Sequence, residues 1–207
     1  MQIVYADAGS IPERAIFSEP LYNNSMTAPT WARSDPTPHF LALSKAIKIA
    51  RTHHGVQERR CGELETAHLA RVAERVAKRS EVGIQAIAIA WLHDILEKTN
   101  CPLKELQGFD NFISEGVNDI THKVGESYDS YIFRVSGSYT ASVIKIADIQ
   151  DNLLGAPSER KKIKYKAALV VLSLATGICP DCDDGETALD EGRLLGCGDC
   201  GWNGTPV

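Results

Sequence analysis

The stretch 87–97, IAIAWLHDILE, places a histidine and an aspartate side by side within a run of apolar residues. Polar groups of this kind are buried only when they are compensated, and one divalent cation would compensate both His93 and Asp94. Glu97 lies four residues after His93, which places its carboxylate on the same surface of a helix. Since a buried histidine more often forms only hydrogen bonds, the doublet alone is a weak indication of a metal site.

Two further residues with suitable ligand atoms lie on separate predicted helices. His68 falls within a stripe of apolar residues that recur with helical period. Asp148 also has apolar residues along one flank, although it could instead cap a helix or pair with Lys145. With His93 and Asp94 they would supply two imidazoles and two carboxylates, a set that suits manganese, iron or zinc.

The chain of 207 residues divides into three predicted parts. Residues 1–37 contain four of the nine prolines and are interpreted as an extended N-terminal arm. Residues 38–177 are predicted to be an all-α domain, interrupted most by the Gly/Ser/Tyr-rich stretch 125–138, which we expect to be a loop. Helices are predicted at about 39–54, 63–79, 82–99, 102–107, 109–122, 139–154 and 158–176.

These motifs together resemble a known family of hydrolases. The stretch 46–63, then His68, then 91–99 (WLHDILEKT) is similar to the hydrolase domain of the RelA/SpoT branch of the HD superfamily, over roughly residues 40–170. The resemblance implies an HD-domain helical bundle that removes the 3'-pyrophosphate from guanosine tetra- and pentaphosphate, (p)ppGpp, usually with manganese.

The same resemblance implies roles for individual residues. Arg59 and Arg60 would contact the nucleotide, Asn152 would lie near the ribose, and Glu97 would activate the attacking water. The four metal ligands would be His68, His93, Asp94 and Asp148.

Three departures from the family pattern affect substrate identity. Lys98 stands where the family has a second acid, and Leu64-Glu65 replaces a Pro-Tyr pair. Asp148 is followed by Ile-Gln-Asp-Asn in place of Arg-Leu-His-Asn, and the stretch 125–132 resembles small stand-alone bacterial and phage HD proteins. Two alternatives therefore stay open: an HD phosphohydrolase of another (deoxy)nucleotide, or a catalytically weak nucleotide-binding module that acts through its C-terminal segment.

Cysteines define the third part, residues 178–207. Cys179 and Cys182 form one knuckle, and Cys197 and Cys200 form a second, 14 residues further on. This spacing predicts a zinc ribbon, because each knuckle presents two thiolates to a tetrahedral ion. Two disulfides are the alternative, which the lack of a secretion signal disfavours.

Charge and hydropathy limit the partners. Residues 179–207 contain seven acidic residues against Arg193 alone, a net charge of −6. An acidic ribbon repels phosphates, so we expect it to have a structural or protein-contact role and not to bind nucleic acid. The whole chain carries a net charge of −5, with 43% hydrophobic residues, and it has no run that would span a membrane. We therefore expect a cytoplasmic enzyme with a small-molecule nucleotide substrate.

Overall fold

The computed structural model describes residues 37–179, 181, 187–190 and 193–201. The predicted arm, apart from Thr37, lies outside the described residues. Within the described ranges the chain forms nine helices and one antiparallel two-stranded sheet, with these bounds in chain order: α1 Thr37–His54, α2 Glu65–Ala77, α3 Ile84–Leu92, α4 Ile95–Lys98, α5 Leu103–Leu106, α6 Asn111–Ile120, α7 Tyr128–Ser136, α8 Tyr139–Leu154, α9 Glu159–Thr176, β1 Thr187–Asp190 and β2 Arg193–Cys197. The predicted all-α bundle is therefore confirmed.

Helix α3 is the central element of the bundle. Its residues are apolar apart from Gln85, and it packs against α1, α2, α6 and α8. A helix surrounded by others on most sides has no polar face, which explains why this run lacks a helical hydrophobic period. The core therefore fixes the position of the residue that follows α3, which is His93.

The predicted helix 82–99 is interrupted after residue 92. The chain forms two helices, α3 and α4, with His93 and Asp94 between them. Asp94 has φ −101° and ψ 0°, in the sparsely populated bridge region of backbone space. The interruption turns the Asp94 carboxylate away from the direction that a continuous helix would give it.

Helices α2 and α8 lie against each other and beside the interruption. On α2 the inward face carries Leu69, Val72 and Val76, and His68 lies on this same face, as its apolar stripe predicts. On α8 the inward face includes Ile144 and Asp148 among its buried residues. The bundle therefore brings together the segments that contain all four predicted ligand residues.

Helix α7 contradicts the prediction of a loop over 125–138. Ser127 caps it by accepting a hydrogen bond from the backbone N–H of Ser130, and Ile132 and Val135 are buried. The Tyr131 hydroxyl donates to the Ile120 carbonyl at 2.6 Å. Composition misled the prediction because serine and tyrosine here serve as a cap and as core residues.

The last helix, α9, ends at a glycine. Gly177 has φ 75°, a left-handed conformation that glycine adopts without strain. Ile178 then returns to the core, with 3% of its surface exposed, before the hairpin in which β1 pairs antiparallel with β2. Among the described residues, no helix combines the length and apolar character that a membrane span needs.

Candidate metal centre

The four residues predicted as metal ligands converge on one point. His93 Nε2 lies 3.2 Å from Asp94 Oδ2 and 3.6 Å from Asp148 Oδ1. His68 Nε2 lies 3.1 Å from Asp148 Oδ1 and 3.9 Å from Asp94 Oδ2. All four residues are buried. The arrangement thus presents two imidazole nitrogens and two carboxylates to a single volume.

Hydrogen bonds orient both imidazole rings towards this volume. His93 Nδ1 donates to the Ala90 carbonyl at 2.8 Å, and His68 Nδ1 donates to Asp151 Oδ2 at 2.7 Å. A neutral histidine that donates from Nδ1 keeps the lone pair on Nε2. Both Nε2 atoms are buried, and among the described residues neither has a hydrogen-bond partner of good geometry. Lone pairs that face carboxylates across a buried gap fit a bound cation.

The charges at the centre support the same conclusion. Burial lowers the pKa of His93, but the charges of Asp94 and Asp148 outweigh burial and raise that pKa to about 10. Burial raises the pKa of Asp148, yet Lys145 and the two histidines hold it well below its usual range. The carboxylates therefore favour protonation of the ring nitrogens. A bound divalent cation would supply the same positive charge.

Asp151 is a site residue that the sequence interpretation missed. Its side chain is fully buried, and it accepts from His68 and also from Arg71 Nε at 2.6 Å. Burial raises the pKa of Asp151, but these hydrogen bonds hold it below its usual range. Arg71 in turn forms a paired contact with Glu63. Helical spacing could have identified both residues. Asp151 lies three residues after Asp148, and Arg71 lies three residues after His68, so each pair shares one face of its helix.

Two lysines contact the carboxylates of the centre. Lys145 Nζ lies 2.8 Å from Asp148 Oδ2, so the pairing that the sequence left open occurs, while Asp148 Oδ1 still faces the histidines. Lys98 Nζ lies 2.7 Å from Asp94 Oδ2 and 2.9 Å from Glu65 Oε1. Lys98 therefore does not point away from the centre.

A cavity of about 1030 Å³ opens over the centre. Asp94 and Asp148 line its floor, with the two histidines buried beyond them. Among the described residues, seven cations line the cavity, from α2, α4, α8, α9 and the segment after α1: Arg59, Arg60, Arg71, Lys98, Lys145, Lys161 and Lys164. Seven of the described acidic residues line it as well: Glu58, Glu63, Glu65, Asp94, Glu97, Asp148 and Asp151. The volume suits a nucleotide-sized ligand, and the arginines and lysines offer hydrogen-bond donors to its phosphate groups.

The residues predicted to contact the substrate also line this cavity. Arg59 donates to Asn152 Oδ1 at 2.5 Å, and Asn152 Nδ2 donates to Asp148 Oδ1 at 2.6 Å. Arg60 is exposed at the rim. Asn152 thus connects a predicted metal ligand to a predicted nucleotide contact.

Glu97 lies at the cavity wall and accepts from the backbone N–H of His122 at 2.7 Å. Desolvation within the cavity raises the pKa of Glu97, and this exceeds the opposing effect of the His122 hydrogen bond. A carboxylate held in place with a raised pKa is suited to accepting a proton from water.

Three tyrosines, Tyr128, Tyr131 and Tyr165, form the aromatic part of the wall. Lys164 Nζ lies 3.6 Å from the centroid of the Tyr128 ring. Helix α7, which the sequence interpretation missed, supplies two of these rings.

The predicted zinc ribbon lies partly within the described residues. The sulfur atoms of Cys179, Cys197 and Cys200 lie within 4.8 Å of one another, and Cys182 lies outside the described residues. Cys179 Sγ and Cys200 Sγ are 3.7 Å apart, farther than the roughly 2 Å of a disulfide bond. Three converging thiols fit part of a tetrahedral zinc site.

Comparison with solved structures finds the same fold in a metazoan ortholog of SpoT, a protein described as hydrolysing ppGpp and as having a role in starvation responses. The TM-score is 0.55 and the sequence identity 17%, and the match covers 63% of this chain and 85% of that one. No protein-family model and no curated sequence matches the chain.

Proposed function

We propose that this protein is a metal-dependent nucleotide pyrophosphohydrolase that removes the 3'-pyrophosphate of (p)ppGpp or a related nucleotide. The observation that carries the proposal is the convergence of His68, His93, Asp94 and Asp148 beneath a nucleotide-sized cavity that contains several arginines and lysines. The fold shared with a ppGpp hydrolase supports it. The mixed nitrogen and oxygen donors suit Mn²⁺ or another borderline divalent ion.

In this proposal the arginines and lysines of the cavity bind the substrate. Arg59 and Arg60 lie where they can bind phosphate oxygens, and guanidinium groups form paired hydrogen bonds with such oxygens. Arg59 is already oriented by Asn152 and Asp151, so less side-chain freedom is lost on binding. The Asn152 side chain would bond the ribose.

The chemical step is an in-line displacement at the phosphorus attached to the 3'-oxygen. His68, His93, Asp94 and Asp148 would hold the cation, which would lower the pKa of water and offset charge at phosphorus. Glu97 accepts the proton of the attacking water. The new bond joins the water oxygen to phosphorus, the bond from phosphorus to the 3'-oxygen breaks, and that oxygen leaves as a hydroxyl after gaining a proton from solvent.

A second candidate is hydrolysis of another nucleotide, such as a deoxynucleoside triphosphate or monophosphate. The contact of Lys98 with Asp94 favours this candidate, because it places a cation where the resemblance predicts an acid. A different charge beside the centre would suit a different arrangement of phosphates.

The C-terminal hairpin has a separate role in this proposal. Cys179, Cys197, Cys200 and Cys182 would hold one structural zinc ion, and the acidic surface of the ribbon would contact a protein partner. The substrate cavity lies in the helical bundle and is the site of hydrolysis in a cytoplasmic enzyme.

Product analysis tests the proposed activity. The full chain is incubated with Mn²⁺ and, separately, ppGpp, pppGpp, deoxynucleoside triphosphates and nucleoside monophosphates, and the products are separated by chromatography. We expect pyrophosphate and GDP or GTP from the first two substrates. Release of phosphate or triphosphate from a deoxynucleotide alone would favour the second candidate and refute the first.

Two neighbouring variants test the metal centre. His93→Ala removes a ligand and should abolish binding of the cation, whereas His54→Ala, on the adjacent helix α1, should retain it. His54 bonds Gln57 at 2.9 Å and is a buried histidine outside the four-residue set. Equal metal content in both variants would refute the assignment.

A further inference from the structure

Lys98 occupies an unusual position beside the metal centre. Its Nζ lies 2.7 Å from Asp94 Oδ2 and 2.9 Å from Glu65 Oε1. Glu65 is at the first turn of α2 and is 3% exposed, while the Lys98 side chain is 36% exposed and lines the cavity. The ammonium group thus contacts the buried Glu65 carboxylate and also lines the cavity.

Both partners stand at positions that depart from the pattern of the family that the sequence resembles. Lys98 replaces an acid, and Glu65 replaces an aromatic residue, 33 positions earlier in the chain. Glu65 without Lys98 would be a buried carboxylate that lacks this ion pair, and Lys98 without Glu65 would have only the Asp94 carboxylate as its partner. Their direct contact indicates that they operate as one unit.

The pair of Lys98 and Glu65 adds an ammonium group beside the centre without changing the net charge there. Lys98 and Lys145 each neutralise one carboxylate that faces the histidines. Without Glu65, Lys98 would add one uncompensated positive charge beside Asp94 and weaken the attraction of the centre for a divalent ion. Glu65 restores one negative charge at a distance of 2.9 Å from the lysine ammonium.

We propose that Lys98 is a phosphate-binding residue that determines specificity, and that Glu65 is the positioning residue that holds it and offsets its charge. Lys98 donates to a non-bridging oxygen of the phosphoryl group at the centre. The site therefore recognises the phosphoryl group through two neighbouring positive charges, the metal ion and the Lys98 ammonium group. This inference rests on the proposed metal-dependent phosphohydrolase function.

The test measures binding of Mn²⁺, and of inorganic phosphate to the Mn²⁺-loaded full chain, by calorimetry. Lys98→Met should bind Mn²⁺ about tenfold more tightly, because a repelling charge is lost, and phosphate about tenfold more weakly. Glu65→Gln should bind Mn²⁺ about tenfold more weakly. The double variant restores the charge balance, so its Mn²⁺ affinity should match that of the wild type while its phosphate affinity stays low.

The double variant also protects the test against misfolding, because it buries no unpaired charge. Lys104→Met removes an exposed lysine from α5 and should change neither affinity. If Lys98 were only structural, both single variants would lose Mn²⁺ affinity together, and that result would overturn the proposal. Unchanged phosphate binding in Lys98→Met and in the double variant would overturn it as well.

Binding and turnover separate this inference from the proposed activity. Hydrolysis of (p)ppGpp by the wild type, with an unaltered KM in Lys98→Met, refutes the role of Lys98 and leaves the activity intact. Loss of phosphate binding in Lys98→Met, in a protein that hydrolyses no 3'-pyrophosphate, refutes the activity and leaves Lys98 as a phosphate-binding residue.

Discussion

Asp151 orients a predicted metal ligand without facing the metal centre itself, and Asp151→Asn tests that role. The substitution keeps the shape of the side chain but removes its charge. The contact with His68 Nδ1 at 2.7 Å and that with Arg71 Nε at 2.6 Å both lose their ionic partner. We expect the metal to bind more weakly, because a neutral partner makes the His68 imidazole a poorer ligand.

The size of the effect follows from these two contacts. Changes to partners of metal-bound histidines reduce metal affinity by about 10- to 100-fold, or about 1.4–2.7 kcal/mol. A hydrogen bond to a charged group contributes about 1.5–3 kcal/mol and a neutral one about 1 kcal/mol. Since Arg71 is 40% exposed, its share is reduced by solvent screening. We therefore expect a loss of about 2 kcal/mol in unfolding free energy, or roughly 4–8 °C in Tm.

Calorimetric titration with Mn²⁺ and thermal unfolding of the metal-free protein measure the two effects separately. Glu74→Gln, an equal loss of charge at an exposed position of α2, is the control and should behave as the wild type does. A lower Tm with unchanged Mn²⁺ affinity would refute the reasoning, since Asp151 would then stabilise the bundle without influencing the ligand.

Three further predictions concern other parts of the molecule. Glu97→Gln should keep Mn²⁺ affinity and lower turnover about a hundredfold. Because its pKa is raised, the wild-type rate should fall on the acid side at a pH above the usual glutamate value, and a pH–rate profile without this fall would contradict the role. A chain ending after Ile178, which retains the core contact of that residue, should lose one zinc by metal analysis yet keep its helical circular dichroism signal; it should also bind nucleic acid no less well than the full chain at physiological salt. Gly116→Ala should lower Tm, because the added methyl group meets the buried Ile89 side chain, and an unchanged Tm would show that α3 and α6 can separate.

The sequence allowed the bundle, and the burial of the four candidate ligand residues, to be predicted because both depend on local pattern. The apolar period of α2 placed His68 on the inward face, and the structure finds it there. The position of Asp148 among apolar residues of α8 was informative in the same way. Hydrophobic periodicity reports which face is buried, and a polar residue on that face requires a partner.

Features that depend on packing between distant segments could not be predicted. The interruption at Asp94 leaves no trace in the hydropathy of residues 87–97, because apolar residues stand on both sides of His93 and Asp94. Helix α7 has a loop-like composition and is stabilised by its cap and by Tyr131 in the core. The contact between Lys98 and Glu65 joins residues that are unrelated in the sequence and requires α2 and α4 to be adjacent.

The four residues around the metal centre come from helices α2 and α8 and from the junction of α3 with α4, so a cation bound there joins segments 80 residues apart, from His68 to Asp148. In the unfolded chain these donors are dispersed and bind the ion far more weakly. The ion then acts as a cross-link that only the folded state possesses, and its stabilisation grows with the logarithm of its free concentration once that exceeds Kd. A hundredfold excess over Kd adds about 2.7 kcal/mol. The lifetime of this protein against proteases would therefore follow the supply of the ion that it binds, independently of catalysis.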